Sequence, residues 1–264
     1  MDPIVLLSWN VRGLNTRAQR DVVRVLLQDT RASVVCLQET KLSLVDVDVI
    51  QCMCGSQFKD FAYLPAADTR GGALVACHQD VASFSDVSVR CFSVTIKISP
   101  CSGEPSWWLT TVYGPQEDDD KVLFLEELEA IRAACVGPWA VGGDFNLILD
   151  PTDKNNARIN RRNMNRFRRL VDSLELRDIH LHGRTYTWSN EHTNPTLVRL
   201  DRILTSVDWE ELYPLCFLQA LSSDDSDHCP LLLLTKTNIR SKPRFHFETF
   251  WPKLEGFLDA VSRG

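Results

Sequence analysis

The sequence has no uninterrupted apolar run long enough to cross a bilayer, so a membrane-spanning helix and a membrane partner are not expected. Its first residues, Met1-Asp2-Pro3-Ile4, carry neither a basic stretch nor a small-residue cleavage pattern, and no signal peptide is expected. There is no CxxC motif: the closest of the 9 cysteines, Cys52 and Cys54, suit neither a zinc knuckle nor a redox site. An odd, scattered set of thiols reads as reduced and space-filling, in a cytosolic or nuclear protein. A net basic charge is also missing. The formal charge of −6 argues weakly against nucleic acid, but it is only a sum, and carboxylates gathered around a metal would lower it without repelling DNA elsewhere. Repeats and low-complexity tracts are absent. What remains, 44% hydrophobic and 24% charged over 264 residues, suits one large globular domain with or without a short appendage.

Strand-like runs predominate along the chain. Ile4–Trp9 and Ser33–Leu37 are apolar and rich in β-branched residues, and between them Arg17–Thr30 sets Val22, Val23, Leu26 and Leu27 at helical spacing. Ala73–His78, Cys91–Ile98 and Trp107–Tyr113 follow as strands, with Trp107-Trp108 read as sheet core. Asp118–Asp120 signals a helix start, and Leu125, Leu128, Ile131 and Cys135 form its apolar stripe. A strand at Trp139–Val141 leads into Gly142-Gly143, and a second amphipathic helix spans roughly Asn163–Leu176. Short strands at Thr185–Trp188, Leu197–Leu204, Phe217–Leu221 and Leu231–Thr235 complete the pattern. Many short strands with single helices between them indicate an α/β sandwich, not a doubly wound parallel sheet. The strand period stops near Lys236. Residues 1–235 are therefore expected to form the domain, and residues 236–264, with Phe245, Phe247, Phe250 and Trp251, a linker or docking tail.

Polar residues stand where strands should end: Ser8-Trp9-Asn10, Leu37-Gln38-Glu39-Thr40-Lys41, Gly142-Gly143-Asp144-Phe145-Asn146 and Ser226-Asp227-His228-Cys229-Pro230. Taken singly, each has a plain structural use as a turn, a cap or a solvated loop. Together they suggest phosphodiester hydrolysis. That reaction needs a cation on the phosphate oxygens, a carboxylate to position and deprotonate water, and a donor to the transition state. A carboxylate and an amide oxygen suit Mg²⁺, or Mn²⁺ in its place, better than zinc. Asp201 and His228 could form a carboxylate–imidazole pair that keeps the histidine protonated beside phosphate.

The ordered set WN…LQET…YGP…GGDFN…LDRIL…SDHCP resembles the exonuclease–endonuclease–phosphatase superfamily over about Ile4 to Leu234. Its local variants, Ser8–Asn15 and Ser226–Leu231, look most like the endonuclease domains of plant LINE-type retrotransposons. The resemblance implies an α/β fold, a four-layer α/β/β/α sandwich like that of DNase I with two packed mixed sheets. It implies a Mg²⁺-dependent enzyme that nicks duplex DNA and leaves a 3′-hydroxyl to prime reverse transcription. The implied partners are double-stranded DNA and a downstream reverse transcriptase domain of the same polyprotein. Nuclear action after cytoplasmic synthesis, and a monomeric isolated domain, are likewise implied.

The resemblance also implies roles. Glu39 is the principal metal ligand, with Asn10 and Asp227 in or near the metal shell; Asp144 activates water; Asn146 bonds the phosphate; Tyr113 contacts the phosphate or leaving group; Asp201 orients His228, which donates to a non-bridging oxygen. Arg12, Thr187, Arg199 and Ser226 are expected on the DNA side. One departure is Arg12, at a position where apurinic endonucleases usually carry an acid; it counts against abasic-site specificity and a second metal. Lys154, Arg158, Arg161, Arg162, Arg166, Arg168 and Arg169 lie in a stretch, 154–170, without an acid, read as a phosphate-binding surface; a solvated helix face is its plain alternative. Polar Ser189–Pro195, between strand-like flanks, is expected to be the tip of a hairpin beside the site. The competing functions are a phosphatase or phosphodiesterase of the same superfamily acting on lipid or inositol phosphates, and a catalytically inactive DNA-binding module.

Overall fold

The computed structural model describes residues 3–67, 71–223 and 225–236; the expected tail beyond Lys236 lies outside the described residues. In chain order the elements are β1 (Val5–Asn10), α1 (Arg17–Thr30), β2 (Val34–Gln38), α2 (Val47–Cys54), β3 (Phe58–Leu64) and β4 (Ala73–His78). Then come β5 (Ala82–Val89), β6 (Ser93–Pro100), β7 (Trp107–Tyr113), α3 (Asp120–Ala134), β8 (Trp139–Asp144), a 3-10 turn at Pro151–Asp153, and α4 (Arg161–Ser173). The remainder is β9 (Arg177–Asp178), β10 (Leu181–His182), β11 (Trp188–Ser189), β12 (Leu197–Val198), β13 (Asp201–Thr205), α5 (Val207–Leu212), β14 (Phe217–Ala220) and β15 (Leu231–Leu234).

The strands form a 7-stranded sheet ordered β10-β14-β15-β1-β2-β4-β3 and a 6-stranded sheet ordered β5-β6-β7-β8-β13-β9, both mixed, with β11-β12 a separate 2-stranded ribbon. Period-2 alternation explains how they stack. From β1 and β2, Leu6, Val34 and Cys36 turn toward the other sheet, where Ile96, Ile98, Trp107, Leu109 and Ile203 meet them. Leu7, Trp9, Val35 and Leu37 turn outward against Val23, Leu27, Ile50 and Met53 of α1 and α2. On the far side Val112, Val141 and Leu204 pack against Phe124, Leu128 and Ile131 of α3 and Phe167 and Leu170 of α4. Three apolar cores between four layers make the α/β/β/α sandwich. The central strands are buried on both faces, which is why they read as continuous apolar runs.

Local chemistry sets the helix ends. Thr16 and Gln19 form a capping box ahead of α1, and Asn160 caps α4, accepting from the Asn163 amide at 3.2 Å. Asp118, expected to start α3, instead accepts from Asn160 (2.8 Å) and Asn163 (2.7 Å), which ties α3 to α4. The expected single strand Leu197–Leu204 is two elements in different sheets. The break falls where the amides of Leu200 and Asp201 both turn to the Thr187 hydroxyl, each at 3.0 Å, leaving the ladder for a side chain.

At the C-terminal end of β8 the two central backbones come very close. Gly143 has φ 138°, and a Cβ there would lie 2.2 Å from the Val112 carbonyl oxygen of β7. Gly143→Ala therefore combines a disfavoured backbone conformation with a backbone clash, and should lower unfolding stability by about 3 kcal/mol or more. Urea denaturation measures this; an unchanged midpoint would refute the close approach.

Candidate active site

Strand pairing delivers the polar residues to one edge. Asn10, the last residue of β1, lies opposite Gln38 of β2, so Glu39 follows directly beside it. In the facing sheet Asp144 ends β8 between Tyr113 of β7 and Asp201 of β13. His228 precedes β15 and forms an isolated bridge with Trp188 of β11. Each side chain therefore stands on or beside a strand terminus, where the scaffold fixes its direction.

The centre is buried: Asn10 and Asp144 are 1% exposed, Asp201 3% and His228 5%. Asn10 Nδ2 donates to Asp144 Oδ2 at 2.9 Å, and the Asn146 amide donates to Asp144 Oδ1 at 2.9 Å. His228 Nδ1 meets Asp201 Oδ2 at 2.9 Å, which leaves Nε2 facing Asn10 Nδ2 (3.4 Å) and Asp144 Oδ2 (3.8 Å). Ligand atoms of Asp144, Asp201 and His228 lie within 4.8 Å of one another. Because the Asp201–His228 contact is already a hydrogen bond, this trio works better as an acid–imidazole relay than as a metal cage.

Burial would drive the His228 pKa down, but the carboxylates of Asp201, then Asp144, outweigh it and raise it to about 9. Burial pushes the Asp144 pKa up and Asp201 adds to this, while the His228 charge and the bonds from Asn146 and Asn10 oppose them. Burial, followed by the charges of Glu39 and Asp144, raises the Tyr113 pKa, so its hydroxyl stays protonated. Near neutral pH the site thus holds a charged imidazole and a neutral phenol as donors beside a buried acid.

The rim completes it. Glu39 adopts a left-handed φ of 53°, pairs with Lys41 at 3.2 Å and interacts with the Tyr113 hydroxyl. Gly71 has to be small, since a Cβ would fall 2.7 Å from Glu39 Cγ and 2.8 Å from Tyr113 Cε1. No motif singles this residue out in the sequence, where the Gly71-Gly72 pair is its one local signal. Asp227 Oδ2 is held by Arg12 at 3.1 Å and by Trp188 Nε1 at 2.8 Å, while its buried Oδ1 has no hydrogen-bond partner among the described residues. Ser226 donates to the Asn10 carbonyl at 2.8 Å, and Trp9 Nε1 donates to the His228 carbonyl at 3.0 Å. Trp9, Trp188 and Lys41 were thus undervalued by sequence, because an indole or ammonium partner is visible only after folding.

Not every expected residue joins this group. Thr187 is 2% exposed, and its hydroxyl is occupied by the Leu200 and Asp201 amides. Arg199 binds Asp178 at 2.9 Å. Asn146 does stay with the group, its Nδ2 donating to the Gly114 carbonyl at 2.8 Å and to Asp144 Oδ2 at 3.4 Å. Lys154 Nζ donates to the Arg158 carbonyl at 2.7 Å, and Arg158, Arg161 and Arg162 are exposed at and before the start of α4. The expected hairpin is present, with β11 and β12 antiparallel and Trp188 opposite Val198. Open clefts flank the centre: one of ≈ 760 Å³ beside Glu39, Gly71 and Tyr113, and one of ≈ 470 Å³ beside Trp188, Asp227 and His228.

The His228 pair has a measurable consequence in the metal-free protein. Its raised pKa gives stability that is fully present below the ordinary histidine value of 6.5 and is lost as pH rises through about 9. The Tm deficit of His228→Gln relative to wild type should therefore shrink between those values; a deficit that grows would reverse the assignment.

The sequence profile described as "Endonuclease/Exonuclease/phosphatase family" matches residues 7–228. No curated protein matches the chain in sequence. Among solved structures, the fold is similar to the AP endonuclease LMAP from Leishmania major, at 17% identity and TM-score 0.70, covering 89% of this chain and 88% of that one. It is also similar to the endonuclease domain of TRAS1, a telomere-specific non-LTR retrotransposon (15% identity, TM-score 0.64, 89% and 100% covered). A third is the 3′ phosphatase NExo from Neisseria, bound to product DNA hairpin (18% identity, TM-score 0.64, 87% and 98% covered). With its profile match across most of the chain and its DNase I-like sandwich, the chain belongs to the endonuclease/exonuclease/phosphatase family.

Proposed function

We propose that this protein is a divalent-metal-dependent endonuclease that nicks duplex DNA, the endonuclease domain of a LINE-type retrotransposon of the plant kind. The observation that carries the reading is the buried convergence of Asn10, Asp144, Asp201 and His228. That grouping presents an acceptor for a water proton and one charged donor for a phosphate, His228, within a few ångströms. The likeness to TRAS1 supports the retroelement assignment, and the basic stretch suits a polyanionic substrate such as duplex DNA.

The family generally uses a divalent metal, and the residues fit one. Glu39 and the Asn10 side-chain oxygen form a hard, all-oxygen donor pair at adjoining strand ends. Asp227 Oδ1, which has no hydrogen-bond partner among the described residues and lies 3.9 Å from His228 Nε2, is a further carboxylate oxygen on the same side. These would hold Mg²⁺, or Mn²⁺ in its place. Bound there, the ion would neutralise the phosphate and the developing charge on the leaving oxygen.

The chain's own groups do the rest. Asp144, with both oxygens fixed by Asn10 and Asn146, takes the proton from the attacking water. His228, held charged by Asp201, donates from Nε2 to a non-bridging oxygen as negative charge builds on it. Tyr113 donates toward the leaving 3′-oxygen as the P–O3′ bond breaks. The products are a 5′-phosphate and a 3′-hydroxyl, and in a LINE-type element that hydroxyl primes reverse transcription by the downstream domain. Duplex DNA as partner and nuclear action belong to this same reading.

Asp144→Asn and His228→Ala should each reduce Mg²⁺-dependent nicking of supercoiled plasmid by about 10²-fold or more. EDTA should abolish nicking by the parent. Asp144→Asn should leave Tm equal or raised at pH 8, because it removes a buried carboxylate. Full nicking by either variant would refute the roles given. Phosphate release from inositol phosphates without any nicking would favour the lipid-phosphatase reading.

The basic stretch gives a second expectation. Replacing Arg161 and Arg162 with Ser should weaken binding to duplexes of every sequence and flatten the salt dependence by about one unit per lost phosphate contact. An unaltered slope would make α4 an ordinary solvated helix.

A further inference from the structure

The β11-β12 ribbon belongs to neither large sheet. A two-stranded ribbon this short has marginal stability by itself, so its direction depends on a neighbour. It has two: β11 bridges His228 through Trp188 and its Ser189 amide donates to the Asp227 carbonyl (3.1 Å), while the loop at 154–158 flanks the returning arm, β12. The Asn155 amide donates to the Leu197 carbonyl (3.1 Å), its Oδ1 accepts from the Leu197 amide (3.0 Å), and its Nδ2 donates to the Pro195 carbonyl (2.8 Å). Asn156 Nδ2 reaches Thr196 Oγ1 at 3.3 Å, and Lys154 forms a backbone bridge to Val198. Asn155 thereby stands in for a third strand along the returning arm of the hairpin.

The loop is itself anchored from below. Asp153 Oδ2 accepts from the Leu149 (2.8 Å) and Asp150 (2.9 Å) amides and pairs with Arg202. The Asp153 carbonyl accepts from the Arg199 amide at 2.8 Å. Arg202 is 1% exposed and also binds Asp178 at 2.8 Å. It follows Asp201 directly in β13, opposite Gly143 of β8. A chain of bonds thus runs from the strand bearing Asp201, through Arg202 and Asp153, to Asn155 and the hairpin. The same loop carries Lys154 and Arg158 and leads into the exposed Arg161 and Arg162.

We propose that Asn155 is a specificity-determining positioning residue, which joins the hairpin to the basic loop so that both meet the duplex as one rigid unit at a fixed offset from the scissile bond. This rests on the DNA-nicking reading above. Asn155 reaches neither Asp144 nor His228; it acts through where it holds the tip at 190–196. With the join intact, phosphate contacts on the basic loop set how the tip enters the neighbouring groove, so binding and site choice are coupled. With the join cut, the tip samples several entries and the preference relaxes.

The test compares nick positions on an end-labelled duplex for the parent, Asn155→Ala, a variant with residues 190–194 replaced by Gly-Gly, and the combination. Asn155→Ala should keep total Mg²⁺-dependent nicking within about twofold while changing the ratio of strong to weak nicks by about threefold or more. It should add nothing once the tip is shortened, because both changes act on one unit. A purely structural Asn155 would instead lower Tm and total nicking together and leave the ladder unchanged. That result, or an unaltered ladder with normal activity, overturns the proposal. If the parent fails to nick with Mg²⁺ or Mn²⁺, the nuclease reading falls, and footprinting on the same duplex decides the join separately. A protected boundary that shifts in Asn155→Ala supports it, and an unmoved boundary or no footprint ends it.

Discussion

The site depends on one electrostatic constraint: a charged imidazole buried between carboxylates from the opposite sheet. His228 precedes β15 of one sheet, whereas Asp201 and Asp144 stand in β13 and β8 of the other. A charge at 5% exposure is tolerable only when paired and hydrogen-bonded. The two sheets must therefore meet in one register at this edge. The Asn10–Asp144 bond crosses the same gap, and the Trp9 and Ser226 bonds fix the segments on either side. The pairing that keeps the imidazole charged also aligns the sandwich, so the electrostatics of the site and the fold share one set of contacts.

Backbone strain collects at this edge as well. Arg12, Glu39, Lys41 and Asn146 all have φ near +50°, a region disfavoured for the first three and tolerated best by asparagine. Asn146 is compensated by its amide bond to Asp144, and Arg12 by a 3.2 Å amide bond to Asn10 Oδ1. Each strained residue turns the chain sharply just past a strand end, which keeps the next polar group over the edge instead of continuing the strand. The cost is local, and the apolar layers beneath, rigid on both faces, sustain it.

How far the sequence revealed this differs by element. The central strands and α1 were legible because alternating or helical burial dictates their residue order, as in Leu6/Leu7 and Val23/Leu27. β5 was not, since it is a polar edge strand whose Ser83, Ser85 and Asp86 face water. α2 was not, because its β-branched start, Val47-Asp48-Val49-Ile50, reads as a strand, and the Asp46 cap, accepting from Val49 at 2.9 Å, decides otherwise. At the site, Asn10, Asp144, Asp201 and His228 were legible from motif order, and the structure brings them together. Gly71, Trp188 and the buried Arg202 were not. Their roles come from approach distances and partners distant in sequence, which no local pattern encodes.

The structures similar to this one are described as an AP endonuclease, a retrotransposon endonuclease and a 3′ phosphatase, so the shared sandwich cannot by itself determine the substrate. The buried centre cannot either, because nothing in the arrangement of Asp201, His228 and Asp144 distinguishes one phosphoester from another. Discrimination has to come from groups standing outside that relay. On one side Arg12 places a half-exposed guanidinium against Asp227, so positive charge stands at the rim beside the buried acids. On the other, the β11-β12 ribbon rises from the loop that carries Lys154 and Arg158. Both are rim features joined to the centre through named bonds, Arg12 through Asp227 and the ribbon through Arg202 and Asp153. The rim and the centre are therefore not independent, since Trp188 of the ribbon bridges the His228 backbone and Arg12 holds Asp227 beside it.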